Sequence, residues 1–154
     1  MSKIYIAYGS NLNVEQMKNR CPDAQLLATG YLKDYLLLYR SNSRHMGVAT
    51  VRKHKGTNVP VAFWEISESD EEALDSYEGY PWLYEKRNVY AYLKGGTKRI
   101  RAMVYIMNSH RMFVPAYPSD TYVATIRQGY MDCKLDMDVF EDSLELNRLE
   151  MFRR

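Results

Sequence analysis

The apolar positions of this chain fall mainly into short runs rich in Tyr, Val, Ile and Leu, the pattern of β-strands. The first run, Ile4-Tyr5-Ile6-Ala7-Tyr8, is β-branched and aromatic and suits a buried strand. It leads into Gly9-Ser10-Asn11, small residues whose backbone N–H groups can turn inward around something negative. Asn13 reads as a helix N-cap with Gln16 as its capping-box partner, and Val14, Met17 and Cys21 recur at helical spacing. Pro22 stops that helix, because the residue before a proline avoids the α region. Gln25 to Tyr31, Tyr35 to Arg40 and Gly47 to His54 read as strands. Lys55 to Asn58 reads as a turn, followed by a strand from Val59 to Ile66 whose Pro60 marks an edge or a strand start.

The second half alternates helices with a hairpin. Ser69, with Glu72 as its capping-box residue, caps a short acidic helix that Gly79 stops. Strands from Arg87 to Leu93 and from Arg99 to Met107 flank Gly95-Gly96, a hairpin signal. Ser109 to Pro118 is an irregular loop, after which Ser119 caps a helix with Tyr122, Ile126 and Tyr130 on one face. A last helix, Val139 to Phe152, turns Phe140, Leu144 and Met151 inward and ends in Arg153-Arg154, favourable at a helix C-terminus. The expected class is α+β: a small mixed β-barrel of about six strands flanked by short helices, in one domain over residues 1–154.

Composition narrows the function. The net charge of +2 is too small to argue for nucleic acid, and the basic runs Arg52-Lys53-His54-Lys55 and Lys98-Arg99-Ile100-Arg101 suit solvated hairpin edges. No apolar run reaches membrane-spanning length and no signal-peptide core follows Met1, so the expectation is a cytoplasmic protein away from membranes. The two cysteines, Cys21 and Cys133, form neither a metal spacing nor a disulfide framework and read as reduced thiols. His45, His54 and His110 lie in polar segments with no metal-site spacing. Fourteen tyrosines against four phenylalanines put hydroxyls on many aromatic positions, either lining a polar pocket or reaching water from half-buried strands.

Two stretches carry chemistry. The Gly9-Ser10-Asn11-Leu12 turn can hold an anion or a developing oxyanion on backbone donors, although an ordinary strand-to-helix turn uses the same residues. Glu78 stands at the end of the acidic helix, where the dipole disfavours a carboxylate, among Tyr77, Tyr80, Trp82 and Tyr84. Both surroundings raise its pKa toward values useful for proton transfer, while a solvated helix-end glutamate is the plainer alternative. Ser10 lacks a nucleophile elbow and a nominated base.

Tyr5-x-Ala7-Tyr8-Gly9-Ser10-Asn11-Leu12 followed by Leu74-Asp75-x-x-Glu78-Gly79 resembles the gamma-glutamylcyclotransferase-like family. Gly47-Val48-Ala49-Thr50, Tyr105, Pro118-Ser119-x-x-Tyr122 and Gly129 continue the resemblance in family order, and the helix after Leu135 falls outside it. The resemblance implies a small β-barrel flanked by helices. It also implies conversion of a γ-glutamyl amide to 5-oxoproline and a free amine, without metal or organic cofactor. Carried onto this chain, the turn from Tyr5 through Ile6, Ala7, Tyr8, Gly9, Ser10 and Asn11 to Leu12 would hold the γ-glutamyl group. Glu78 would move protons, and Tyr122 would close the pocket, with Tyr8 or Tyr84 beside it. A non-catalytic binding module on the same barrel is the alternative. The leaving group and the oligomeric state stay open.

Overall fold

The computed structural model describes residues 2–153. Its strands are β1 (Lys3–Ala7), β2 (Gln25–Ser41), β3 (Gly47–Ile66), β4 (Tyr84–Leu93) and β5 (Arg99–Met107). They close into a barrel in the order β1-β3-β2-β4-β5, and a single parallel contact between β1 and β5 makes it mixed. Helices α1 (Val14–Arg20), α2 (Glu68–Glu78), α3 (Asp120–Asp132) and α4 (Met137–Phe152) flank it, and Ser10–Leu12 forms one 3-10 turn between β1 and α1. No helix among the described residues is long and apolar enough to cross a membrane.

Five strands replace the expected six because runs read as separate join. Lys33 pairs with Asn58 and Tyr35 with Lys53, so the β2–β3 ladder resumes beyond an irregularity. Asp34 takes a left-handed φ of 61° and its carboxylate accepts from Gly56 N–H, which is how the expected turn at 55–58 is absorbed as a bulge. Pro60 lies within β3 rather than at its start, but beyond the stretch paired with β1, which ends at Ala62. There a missing N–H costs no ladder bond on the β1 side.

The helix ends follow local capping with three corrections. Asn13 accepts from Gln16 N at 3.0 Å as expected, but the Gln16 side chain turns to Thr125 and Arg20 instead of closing the box. Ser67 and Asp70, not Ser69 and Glu72, form the capping box of α2. The two Ser-x-x-acid signals overlap in sequence, and the one that starts earlier holds the helix. Gly79 ends α2 in the left-handed region at φ 64°. Asp136 caps α4, which starts at Met137, two residues before expected; Phe140 and Leu144 are buried, Met151 only half so, and Arg154 lies outside the described residues.

The barrel interior is filled by Ile6, Leu32, Leu37, Val61, Phe63 and Val104, all nearly inaccessible. Helix α4 locks onto β2 from outside. Tyr39 OH meets Ser143 Oγ at 2.8 Å, and the buried Arg40 guanidinium pairs with Glu150 at 2.8 Å while donating to Met112 O. Asn147 donates to Ala116 O at 3.0 Å, so α4 also pins the loop before α3.

Candidate active site

The end of β1 delivers Tyr5, Tyr8 and the 3-10 turn to one side of a pocket of about 310 Å³, within the range of small-molecule sites. Helix α2 brings Tyr77 and Glu78 to it, β4 brings Tyr84, β5 brings Tyr105, and α3 brings Ser119 and Tyr122. The approach of α3 depends on Gly129: a Cβ there would stand 2.6 Å from Leu12 Cβ and 2.7 Å from Asn13 N. Gly9 needs its bareness less, since a Cβ would meet Ala49 Cβ at 3.3 Å.

Of the residues singled out in the sequence, Tyr5, Tyr8, Gly9, Ser10, Asn11, Glu78 and Tyr122 line this pocket, as does Tyr84. Ile6, Ala7 and Leu12 do not: each is fully buried and packs into the core. Leu12 N–H is spent on Gly9 O at 3.0 Å, and Asn13 N–H on Ser10 O at 3.0 Å. The backbone N–H groups of Ser10 and Asn11 have no acceptor among the described residues, so the turn's free donors lie one step earlier than its full span suggested. His45, His54 and His110 are exposed and none lines the pocket.

Glu78 is half-buried and keeps one face on the cavity. Its carboxyl has no hydrogen-bond partner among the described residues, and burial raises its pKa to about 7, with Arg20 pulling the other way. At neutral pH such a group exists in both protonation states, the condition for giving and taking protons.

The surrounding phenols are pushed upward by burial, with Glu78 adding to the effect, so they stay protonated and act as neutral donors or acceptors. Their protons are not equally available. Tyr8 donates to Tyr105 O at 2.7 Å, Tyr105 donates to Asp75 at 2.6 Å, and Tyr84 donates to Ala49 O. Tyr122 instead accepts from Ala49 N–H at 2.9 Å, and Tyr5 accepts from Asn11 Nδ2 at 2.9 Å. Ser10 Oγ and Tyr77 OH share one bond at 2.8 Å.

A sequence model of the family described as gamma-glutamyl cyclotransferase, AIG2-like matches residues 5–124. The chain belongs to that family. It is 30% identical to the gamma-glutamylcyclotransferase of Bos taurus over 156 residues, covering 97% of this chain and 79% of that protein. Against the Homo sapiens gamma-glutamylcyclotransferase the identity is 29% over 147 residues, covering 91% and 76%. A solved structure titled gamma-glutamyl cyclotransferase superposes with a TM-score of 0.81 at 26% identity, covering 93% of this chain and 86% of the other. YkqA from Bacillus subtilis shares the fold, with a TM-score of 0.75 at 17% identity over 96% of this chain and 54% of that one. The chain is thus a gamma-glutamylcyclotransferase-like enzyme. The family match stops before α4, the helix that anchors Arg40 and the loop beside the pocket.

The residues that sequence reasoning missed are Arg20, Asn42, Met46 and Leu83, together with the pocket position of Ser119, which was read only as a helix cap and a motif member. Arg20 contacts Asn11 and stacks on Tyr77, with its guanidinium carbon 3.4 Å from the ring centre. Nothing in its spacing marks it, since a last-turn arginine is also what an exposed helix end favours. The other four line the pocket from loops or element ends.

Proposed function

We propose that this enzyme converts a γ-glutamyl amide into 5-oxoproline and a free amine, with Glu78 as the proton carrier. One observation carries the reading: the unpartnered Glu78 carboxyl, with a pKa of about 7, lines the same pocket as Gly9, Ser10 and Asn11. Such a substrate brings its own nucleophile, the α-amine, so no activated serine or cysteine is required. The α-ammonium must first lose a proton, which the Glu78 carboxylate accepts. The freed nitrogen attacks the γ-carbonyl carbon and closes a five-membered ring, and the carbonyl oxygen becomes an oxyanion. Free N–H donors of the turn and a phenol proton stabilise that charge without a cation.

As the oxyanion collapses, the bond from the carbonyl carbon to the departing nitrogen breaks. Across the reaction two protons leave the α-nitrogen and two reach the departing nitrogen, which ends as an ammonium. Glu78 moves them one at a time, a task that needs a pKa near neutrality. The test is direct. The protein is incubated with γ-glutamyl amino acids, γ-glutamyl amines and glutathione, and 5-oxoproline is measured by mass spectrometry. Production from at least one compound, abolished in Glu78→Gln, is expected. Binding of these compounds with no 5-oxoproline from any of them would leave a binding module instead.

A further inference from the structure

Among the pocket tyrosines, Tyr5 has a hydroxyl whose direction is dictated from outside the pocket. Its oxygen accepts from Asn11 Nδ2 at 2.9 Å, which leaves its own proton unspent in a pocket-lining position. An asparagine amide can face either way, donating through nitrogen or accepting through oxygen. Here the other end of the amide meets Arg20, whose Nη1 donates to Asn11 Oδ1. A guanidinium has only donors, so the oxygen of Asn11 must face it and the NH₂ must face Tyr5. Arg20 is itself held by Gln16 Oε1 at 3.3 Å and by the ring of Tyr77.

We infer that Arg20 is a positioning residue for the cyclisation: it locks the Asn11 amide so that Tyr5 keeps its hydroxyl proton for the bound γ-glutamyl group. This role rests on the proposed function above. With Arg20 replaced by an apolar side chain, the amide is free to flip, Tyr5 donates to Asn11 Oδ1, and the pocket loses a donor. The charge of Arg20 also acts on Glu78 from outside the pocket, whose lining around Glu78 is neutral: Tyr5 from β1, Tyr8 just after it, Tyr77 from α2, Tyr84 from β4, Tyr105 from β5 and Tyr122 from α3. Asp75, bound by Lys86 and by the Tyr105 hydroxyl, lies behind that lining. The charge of Arg20 therefore shifts the pH profile independently of the relay, and the two effects need separate readouts.

The experiment is a double-mutant cycle of Arg20→Met with Tyr5→Phe, read as kcat/KM at each variant's own pH optimum and as Kd for 5-oxoproline. Arg20→Met alone should lower kcat/KM about tenfold, the size of one lost hydrogen bond, and in the Tyr5→Phe background less than about twofold. Arg20→Lys, still a pure donor but without the fork and the flat face that stacks on Tyr77, should recover only part of the loss. Equal losses with and without the Tyr5 hydroxyl would overturn the inference. Asn11→Asp tests the same relay without touching Arg20, since a carboxylate accepts from both neighbours and takes the Tyr5 proton. It should match Tyr5→Phe, and parental activity in it would also overturn the inference. Loss of turnover in Glu78→Gln with no coupling in the cycle removes this role alone. Full turnover in Glu78→Gln removes the proposed function itself, and this role with it.

Discussion

Ser10 and Tyr77, 67 residues apart, share a hydrogen bond of 2.8 Å that ties the 3-10 turn to the last turn of α2. Glu78 follows Tyr77 directly, so this bond helps set the distance between Glu78, the proposed proton carrier, and the turn. Tyr77→Phe keeps the ring and its stacking on Arg20 but removes the tie. A bond between neutral, partly buried groups contributes about 0.5–1.5 kcal/mol, so thermal stability should fall only slightly. Activity should suffer more than stability, because a misplacement of about 1 Å can cost up to 10²-fold. The check is kcat/KM beside the melting temperature; an unchanged kcat/KM would show that the tie has no part in catalysis.

The pocket that would take the leaving group of the proposed reaction has a wall without positive charge. Among the described lining residues there is no Lys, Arg or His, and Met46, Val48 and Leu83 contribute apolar surface. A leaving group bearing its own carboxylate must be desolvated there without an ion pair. γ-Glutamyl-ethylamine should therefore have a kcat/KM about three- to tenfold above that of γ-glutamyl-alanine, which differs only by the carboxylate. A reversed preference would mean that a cation reaches the departing amine.

Gly129 separates a general expectation from a local one. In an exposed helix interior, glycine to alanine stabilises by about 0.4–1 kcal/mol. Here the added methyl would stand 2.7 Å from the backbone at Leu12 C and Asn13 N, where no flexible side chain can yield. Overpacking of this kind costs about 1–3 kcal/mol, so Gly129→Ala should lower stability and push the turn toward the pocket. Urea denaturation checks the first effect and KM the second. A stabilised variant with parental KM would mean that α3 can withdraw freely.

Some of this was legible from local pattern and some was not. The strands stood out because Tyr, Val and Ile runs such as Ile4 to Tyr8 announce themselves over five residues. Their joining did not, because whether Tyr31 and Tyr35 lie on one strand depends on β3 pairing across the Asp34 bulge, a contact tens of residues away. The α2 cap was misplaced for a related reason: Ser67-x-x-Asp70 and Ser69-x-x-Glu72 are equal signals until the turn before them is placed. The candidate site was readable as residue types, a small polar turn and a helix-end glutamate. Which members of the turn reach the pocket was not, because Ile6 and Ala7, though on opposite faces of β1, are both covered by packing from other elements, and Leu12 closes the 3-10 turn. Arg20 was invisible because the contacts that distinguish it, to Asn11 and to the ring of Tyr77, come from other elements.

Under the proposed function, Glu78 links stability and activity through one proton. Its pKa of about 7 in the fold lies above the ordinary 4.5, so the folded protein holds a proton that the unfolded chain has released between those values. The stabilisation this provides is complete below about pH 4.5 and is lost as the pH rises through about 7. Glu78→Gln keeps the shape and removes the ionisation. It should therefore raise stability near pH 8 by about 1–3 kcal/mol, short of the full shift because the carboxyl keeps solvent contact, and by little near pH 4.5. The same change should lower turnover at least about 10²-fold, the low end for losing general acid–base catalysis. The parental kcat/KM should rise with an apparent pKa near 7, and that ascending limb should be absent from any residual activity of the variant. Urea denaturation at the two pH values and a pH–rate profile measure both sides. A variant that gains stability at high pH yet still forms 5-oxoproline at the parental rate would keep the buried carboxyl and discard it as the proton carrier.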